Sequence, residues 1–156
     1  MKTISVVIID DEPGSVITLL ELLKQYCPQV VIKGTAADPL RGYDLIKLSE
    51  PDLVFLDIEM PYGNSFDLLD KLLPVSFEVV FITAFNEYAI RAIKYAALDY
   101  LLKPVNVDEL VEAVRKAGKR LEEKNINSRI SNLLESMKSE NAGIQKIALP
   151  TLEGSS

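Results

Sequence analysis

The sequence predicts a doubly wound α/β domain, and three observations carry that expectation. Short apolar runs recur at a near-regular interval, at 4–9, 30–32, 53–56, 79–82 and 100–102. These runs are continuously apolar rather than alternating, as strands of a parallel sheet are when both faces are covered. Helix-length amphipathic segments fill the gaps, so strand and helix alternate five times. Such an order folds as parallel strands joined by right-handed crossovers.

Each helix carries its own signals. The first follows Pro13, with Val16, Leu19, Leu20 and Leu23 on its apolar side, and ends before Cys27-Pro28. The second opens with Asp38 as N-cap and Pro39 at the first helical position. The third starts at Asn64 or Ser65 and stops before Pro74. The fourth is expected over 86–96 and the fifth over 107–124. Beyond Leu121 the 4-3-4 spacing of Leu110, Val114, Ala117 and Leu121 restarts out of register at Ile126, Ile130, Leu133 and Met137. A helical extension over 125–143 follows, either continuous with the fifth helix or kinked at Asn125 and Asn127. Its stripe reads as a pairing face for a second copy or as an ordinary linker between domains. Asn141-Ala142-Gly143 should end it, and 144–149 reads as an unpaired strand.

Composition narrows the function. A chain of 156 residues, 48% hydrophobic, holds one cored domain plus an appendage. Its net charge of −6 argues against gripping a nucleic-acid backbone, which needs a basic face. One cysteine, Cys27, excludes an internal disulfide and fits a reducing cytosol, with the thiol as a small buried filler. The absence of histidine excludes His-dependent acid–base chemistry, His metal ligands and a phosphohistidine on this chain. No apolar run reaches membrane-spanning length, and a cytoplasmic location without membrane contact is expected.

The organising stretch is Val54-Phe-Leu-Asp57-Ile-Glu-Met60-Pro61, a buried strand closed by a lone carboxylate. A charge at the mouth of a buried strand is costly unless something there uses it. Polar residues end the other strands too: Asp10 and Asp11 after the first, Thr83 after the fourth and Lys103 after the fifth. Ligands of an open parallel sheet bind beyond the carboxyl ends of its strands, where strand order reverses. Three carboxylates converging there repel one another. A divalent cation with hard oxygen ligands resolves the conflict, and Mg²⁺, which keeps several waters, suits the set. Asp57 then reads as a nucleophile toward phosphorus, with metal, Lys103 and Thr83 neutralising the phosphoryl oxygens. Each residue has a plainer role alone: helix capping for Asp10-Asp11, a locally satisfied strand hydroxyl for Thr83, a solvated loop charge for Lys103, a core aromatic for Tyr100. Independent capping and solvation would not place three acids, a hydroxyl and a cation on successive strand ends.

Across 2–122 the chain resembles the receiver domain of two-component response regulators. The matching pieces are Ile9-Asp10-Asp11-Glu12, Leu56-Asp57-Ile-Glu-Met60-Pro61, Thr83-Ala84 and Asp99-Tyr100-Leu-Leu-Lys103-Pro104. The resemblance implies a flavodoxin-like strand order, 2-1-3-4-5, with five helices. It makes Asp57 the phosphoacceptor, and Mg²⁺ the cofactor of Asp10, Asp11, Asp57 and the backbone carbonyl of Glu59, Asp10 acting largely through water. Lys103 and Thr83 would bind phosphoryl oxygens, and the Lys103–Pro104 bond would be cis. Thr83 and Tyr100 would form the switch, Tyr100 rotating inward as Thr83 moves toward the phosphoryl group. Glu59 and Phe85 occupy positions that vary within the family and tune phosphoryl lifetime.

The segment 86–104 resembles the LytTR-type branch of that family, and 144–154 resembles the opening strand of its DNA-binding domain. The expected division is a receiver over 1–124, a helical linker over 125–143 and the start of a truncated effector domain over 144–156. The expected function is a phosphorylation-gated switch that catalyses its own phosphorylation and dephosphorylation. A sensor histidine kinase would be its partner, and DNA would be bound only through the missing domain. Tyr88, Ile90, Ile93 and Tyr95 span more than one stripe of the fourth helix, so Tyr88, Ile90 or Tyr95 is either a partner surface or a half-buried tyrosine with its hydroxyl in water. A homodimer through the fourth helix and fifth strand, or through the C-terminal helix, is the matching expectation. The alternative is a Mg²⁺-dependent phosphohydrolase with an aspartyl nucleophile. In that class a second Asp stands two residues after the nucleophile, where this chain has Glu59.

Overall fold

A computed structural model describes residues 2–61 and 63–148, with side chains through 139. The elements run β1 (Ile4–Ile9), α1 (Pro13–Tyr26), β2 (Val30–Ala36), α2 (Pro39–Ser49), β3 (Leu53–Leu56), β4 (Glu59–Met60), β5 (Gly63–Asn64), α3 (Ser65–Lys71), β6 (Glu78–Thr83), α4 (Ala89–Lys94), β7 (Asp99–Leu102) and α5 (Val107–Ala148). Five parallel strands pair in the order β2-β1-β3-β6-β7, which is 2-1-3-4-5 when the sheet strands alone are counted. The remaining two form a small antiparallel ribbon, β4 with β5, directly after Asp57. Gly63 there has φ +137°, a conformation that suits a residue without Cβ.

Side chains alternate across the sheet, so each central strand feeds two cores. Val7, Ile9, Val54, Leu56, Val79 and Phe81 pack with Ile46 of α2, Phe66 and Leu69 of α3 and Ala92 of α4. The alternate residues, such as Ile8, Phe55, Val80 and Leu101, are equally buried. On that side α5 presents Leu110, Ala113, Val114 and Ala117, all buried, and a Cβ at Gly118 would stand 3.3 Å from Ile4.

Capping follows the sequence closely at two helices. The Asp38 side chain accepts from Arg41 N, with Pro39 at the first helical position, and Asn64 accepts from Phe66 N and Asp67 N. Three readings change. Strand β2 runs on to Ala36 at a sheet edge, leaving Val31 and Ile32 partly exposed rather than covered on both faces. Helix α4 is only six residues long, because Asn86–Tyr88 form a turn with no side-chain cap and Ala96 turns left-handed at φ 55°. As both alternatives for this helix allowed, Ile90 and Ile93 on it are exposed, while Tyr88 and Tyr95 at its two ends are half-buried against the core. Finally, α5 passes through Asn141-Ala142-Gly143 to Ala148 without a break, so 144–148 is helical and not a strand. A mid-helix glycine costs only about 1 kcal/mol and need not end a helix. Leu149 and the residues after it lie outside the described residues.

The chain divides into two compact units, Met1–Lys119 and Arg120–Ser156. In the second, Ile126, Ile130, Leu133, Leu134 and Met137 are exposed on the helix. Among the described residues no helix is long and apolar enough to cross a membrane.

Phe66 anchors the first core. It is fully buried, with ring centroids 5.3 Å from Phe81 and 5.1 Å from Tyr95. Phe66→Ala should lower unfolding stability by about 3–5 kcal/mol. Urea denaturation followed by far-ultraviolet circular dichroism should show a lower midpoint with an unchanged slope.

Candidate functional site

Strand order reverses around β1, and its neighbour β3 ends level with it: Ile9 pairs with Leu56, and Asp57 N donates to Ile9 O at 2.9 Å. That register sets Asp10 and Asp57 side by side. On the far side of β3, Thr83 pairs with Leu102, and Lys103 N donates to Thr83 O at 2.8 Å. The sheet therefore delivers Asp10, Asp11, Asp57, Thr83 and Lys103 to one edge. Single carboxylate oxygens of Asp10, Asp11 and Asp57 lie within 4.8 Å of one another. Asp10 and Asp57 are each 7% exposed, Asp11 is half-exposed and Thr83 is fully buried.

Lys103 reaches back across this edge. Its Nζ stands 2.9 Å from Asp10 Oδ2, 3.0 Å from Asp57 Oδ2 and 3.8 Å from Glu12 Oε1. The Lys103–Pro104 bond is cis, as the resemblance implied, and so is Leu73–Pro74. The other oxygen of Asp57 accepts from Ile58 N at 2.7 Å, and Asp10 Oδ1 accepts from Glu12 N at 2.9 Å. Burial pushes the Asp57 carboxyl above its usual range; Lys103 opposes this, Asp10 adds to it and the Thr83 hydroxyl opposes it. Burial alone would lower the Lys103 ammonium, yet hydrogen bonds to Asp10 and Asp57 hold it above its ordinary value.

These residues fit a divalent metal. The donors are hard carboxylate oxygens, and three carboxylates against one ammonium leave negative charge uncompensated in a largely buried crevice. Glu59 is exposed on β4, and its backbone belongs to the same loop as Asp57.

Thr83 Oγ1 accepts from Phe85 N at 3.3 Å, and the Tyr100 hydroxyl donates to the Phe85 carbonyl, so both expected switch residues hold the start of one loop. The Tyr100 ring lies 6.1 Å from Phe81, and burial raises its phenol above the ordinary value.

Sequence reasoning missed three participants. Ser65, fully buried, donates its hydroxyl to the Asp57 carbonyl while its N–H donates to Ile58 O, which fastens the loop after the strand. Its only signal was its place at the start of a helix. Glu12 entered only as the last residue of the Ile9-Asp10-Asp11-Glu12 match, and its partner Lys103 is remote in sequence. Tyr88 donates its hydroxyl to the Glu59 carboxylate, and that bond pushes the phenol up to about 12.

Known proteins resemble this chain in sequence and in fold. An uncharacterized response regulatory protein of Vibrio cholerae is 40% identical over 114 residues, 72% of this chain and 48% of that protein. The sensory transduction protein LytT of Enterococcus faecalis is 36% identical over 118 residues, 74% of this chain and 48% of that protein. The chain thus spans about half the length of these relatives. The crystal structure of the response regulatory domain of protein mrkE from Klebsiella pneumoniae superposes with a TM-score of 0.70 at 28% identity, covering 76% of this chain and 98% of that one. Residues 6–115, more than half of the chain, match the response regulator receiver domain, and the chain belongs to that family.

Proposed function

We propose that this receiver domain is a phosphorylation-gated switch in which Asp57 accepts a phosphoryl group from a sensor histidine kinase or a small phosphodonor. The observation that carries this reading is the junction of Lys103 with Asp10 and Asp57 at one sheet edge, next to the fully buried Thr83 hydroxyl.

An oxygen of Asp57 forms a bond to phosphorus as the donor's bond to phosphorus breaks, and the donor leaves with the electron pair. Lys103, already hydrogen-bonded to Asp57, would bind a phosphoryl oxygen and spread the new charge. Thr83 supplies a second donor. Asp10, Asp11, Asp57 and the Glu59 carbonyl would hold Mg²⁺, which when bound supplies further charge neutralisation. As Thr83 turns toward the phosphoryl group, Tyr100 moves into the vacated space and the face of α4 and β7 changes. Water reverses the modification, so the chain acts on itself rather than as a dedicated enzyme.

In this reading 1–124 form the receiver, and the helix that continues to Ala148 links it to an effector domain. Kinship with the LytTR-type branch, supported by the LytT relative, makes that effector a DNA-binding domain and the setting cytoplasmic. Exposed Ile90 and Ile93 on α4, or the Ile126–Met137 stripe of the second unit, would carry a homodimer.

Three outcomes are expected. Acetyl phosphate with Mg²⁺ should add one phosphoryl group, located on Asp57 by intact mass and peptide mapping. The adduct should be absent in Asp57→Asn and after chelation by EDTA; an adduct elsewhere would overturn the reading. Second, burial raises the Asp57 carboxyl, so the native state binds more protons than the unfolded state and Asp57 costs stability as pH rises above the usual carboxylate range. Asp57→Asn should therefore raise the melting temperature of metal-free protein at pH 7, and Mg²⁺ should narrow the difference by stabilising wild type. Third, Lys103→Ala should still accept the group slowly while losing the modification-dependent change in sizing or α4 protection from hydrogen exchange.

A further inference from the structure

The helix of the second unit combines an apolar seam with a weak intrinsic tendency to be helical. Ile126, Ile130, Leu133 and Met137 recur at a 4-3-4 spacing on α5, and all four are about half exposed, as is Leu134 beside them. Between 125 and 139, seven of fifteen residues are Asn or Ser, whose side chains compete with the backbone for hydrogen bonds and favour helices weakly. Helices of such composition are marginal alone, and packing of an apolar side is what holds them. A continuous helix through this segment therefore calls for a partner on the seam. Charge decides which partner suits it. Residues 120–156 hold five Lys or Arg and five Asp or Glu, so their net charge is zero and the −6 of the chain lies wholly in 1–119. A strongly basic or acidic partner gains nothing there, while a second copy of the helix meets no net repulsion.

We propose that this seam pairs in parallel with the same seam of a second copy, as a short two-stranded coiled coil. The pairing rests on, and narrows, the homodimer proposed above, and it needs no phosphoryl group. Steps of four and three put Ile130 and Met137 at a positions of a heptad and Ile126 and Leu133 at d positions. The central pair, β-branched Ile130 at a followed by Leu133 at d, is the combination that favours two parallel strands. About a twofold axis each of these side chains meets its own copy. Leu134, at the neighbouring e position, widens the seam. The seam spans less than two heptads, and its half-exposed side chains hide far less than the roughly 800 Å² per partner of a stable interface. The pairing is accordingly weak and concentration-dependent. Any second contact between two copies would strengthen it by raising the effective concentration of the seams.

The test uses the whole, unmodified chain. Sedimentation equilibrium should show wild type passing from monomer to dimer with a dissociation constant on the order of 100 μM. The double variant Ile130→Lys, Leu133→Lys changes only exposed side chains. It should stay monomeric at millimolar concentration and lose ellipticity at 222 nm as the unpaired segment unwinds. Cross-linking reads the direction of pairing. Ile126→Cys and Met137→Cys, at opposite ends of the seam, should each form a self-linked disulfide dimer under mild oxidation. Wild type, whose single Cys27 is buried, and Glu135→Cys at the outer f position should not. Linkage that requires Ile126→Cys mixed with Met137→Cys shows an antiparallel pair and overturns the proposal. A dimer that survives the double lysine variant overturns it too, while leaving a homodimer through α4 standing. Wild type that stays monomeric at millimolar concentration overturns it as well, and acetyl phosphate added to the same sample then shows whether α4 pairs copies without the seam. None of these outcomes touches the assignment of Asp57 as phosphoacceptor.

Discussion

Mutual repulsion among three carboxylates at the carboxyl edge of the sheet is the constraint on which the rest of the site turns. At an effective dielectric of about 20, two unit charges 4.8 Å apart repel by roughly 3.5 kcal/mol. A domain of this size has only about 5–15 kcal/mol of stability in all, so the cluster cannot stand uncompensated. Lys103 supplies one charge and touches Asp10 and Asp57 at once. The charge left over suits the site to a divalent cation.

Holding such a cluster together takes a rigid frame. The sheet provides it through backbone bonds made at the site itself: Asp57 N to Ile9 O, Asp10 N to Ala36 O and Lys103 N to Thr83 O. Beneath them lie fully buried Phe55, Phe81, Ile8 and Leu56, which leave the strand ends little freedom to relax apart. Ser65 extends the frame past the last residue of β3 by fastening the carbonyl of Asp57 itself. The loop after Thr83 is the contrasting part. It is exposed, ends in a short helix with no side-chain cap, and is tied down by two phenols rather than by a strand ladder. Elements that respond to a ligand are drawn from such weakly secured regions. A stiff crevice beside a lightly tethered loop is an arrangement in which a local charge change can be felt at a distance.

Much of this was legible in the residues. Continuous apolar runs separated by amphipathic helices fix a two-sided parallel sheet, and that topology alone requires Asp10, Asp11, Asp57, Thr83 and Lys103 to share one edge. Asp38, Pro39 and Asn64 marked helix starts because their capping chemistry is local. The sequence misled where the deciding partner was remote. Val31 and Ile32 read as covered, yet β2 is an edge strand with neighbours on one side only. The residues 144–148 read as a strand, yet α5 carries straight through them.

What the chain's order of residues determined, then, was the layer architecture, the strand ends and the chemical character gathered there, because hydrophobic period and cap chemistry act over a few residues. Only the folded structure decided which oxygen of Asp57 faces Lys103, that Ser65 ties the loop and that Tyr88 reaches Glu59. Those contacts join positions from 8 to 46 residues apart. Their geometry is set by strand register and side-chain packing, which no local pattern encodes.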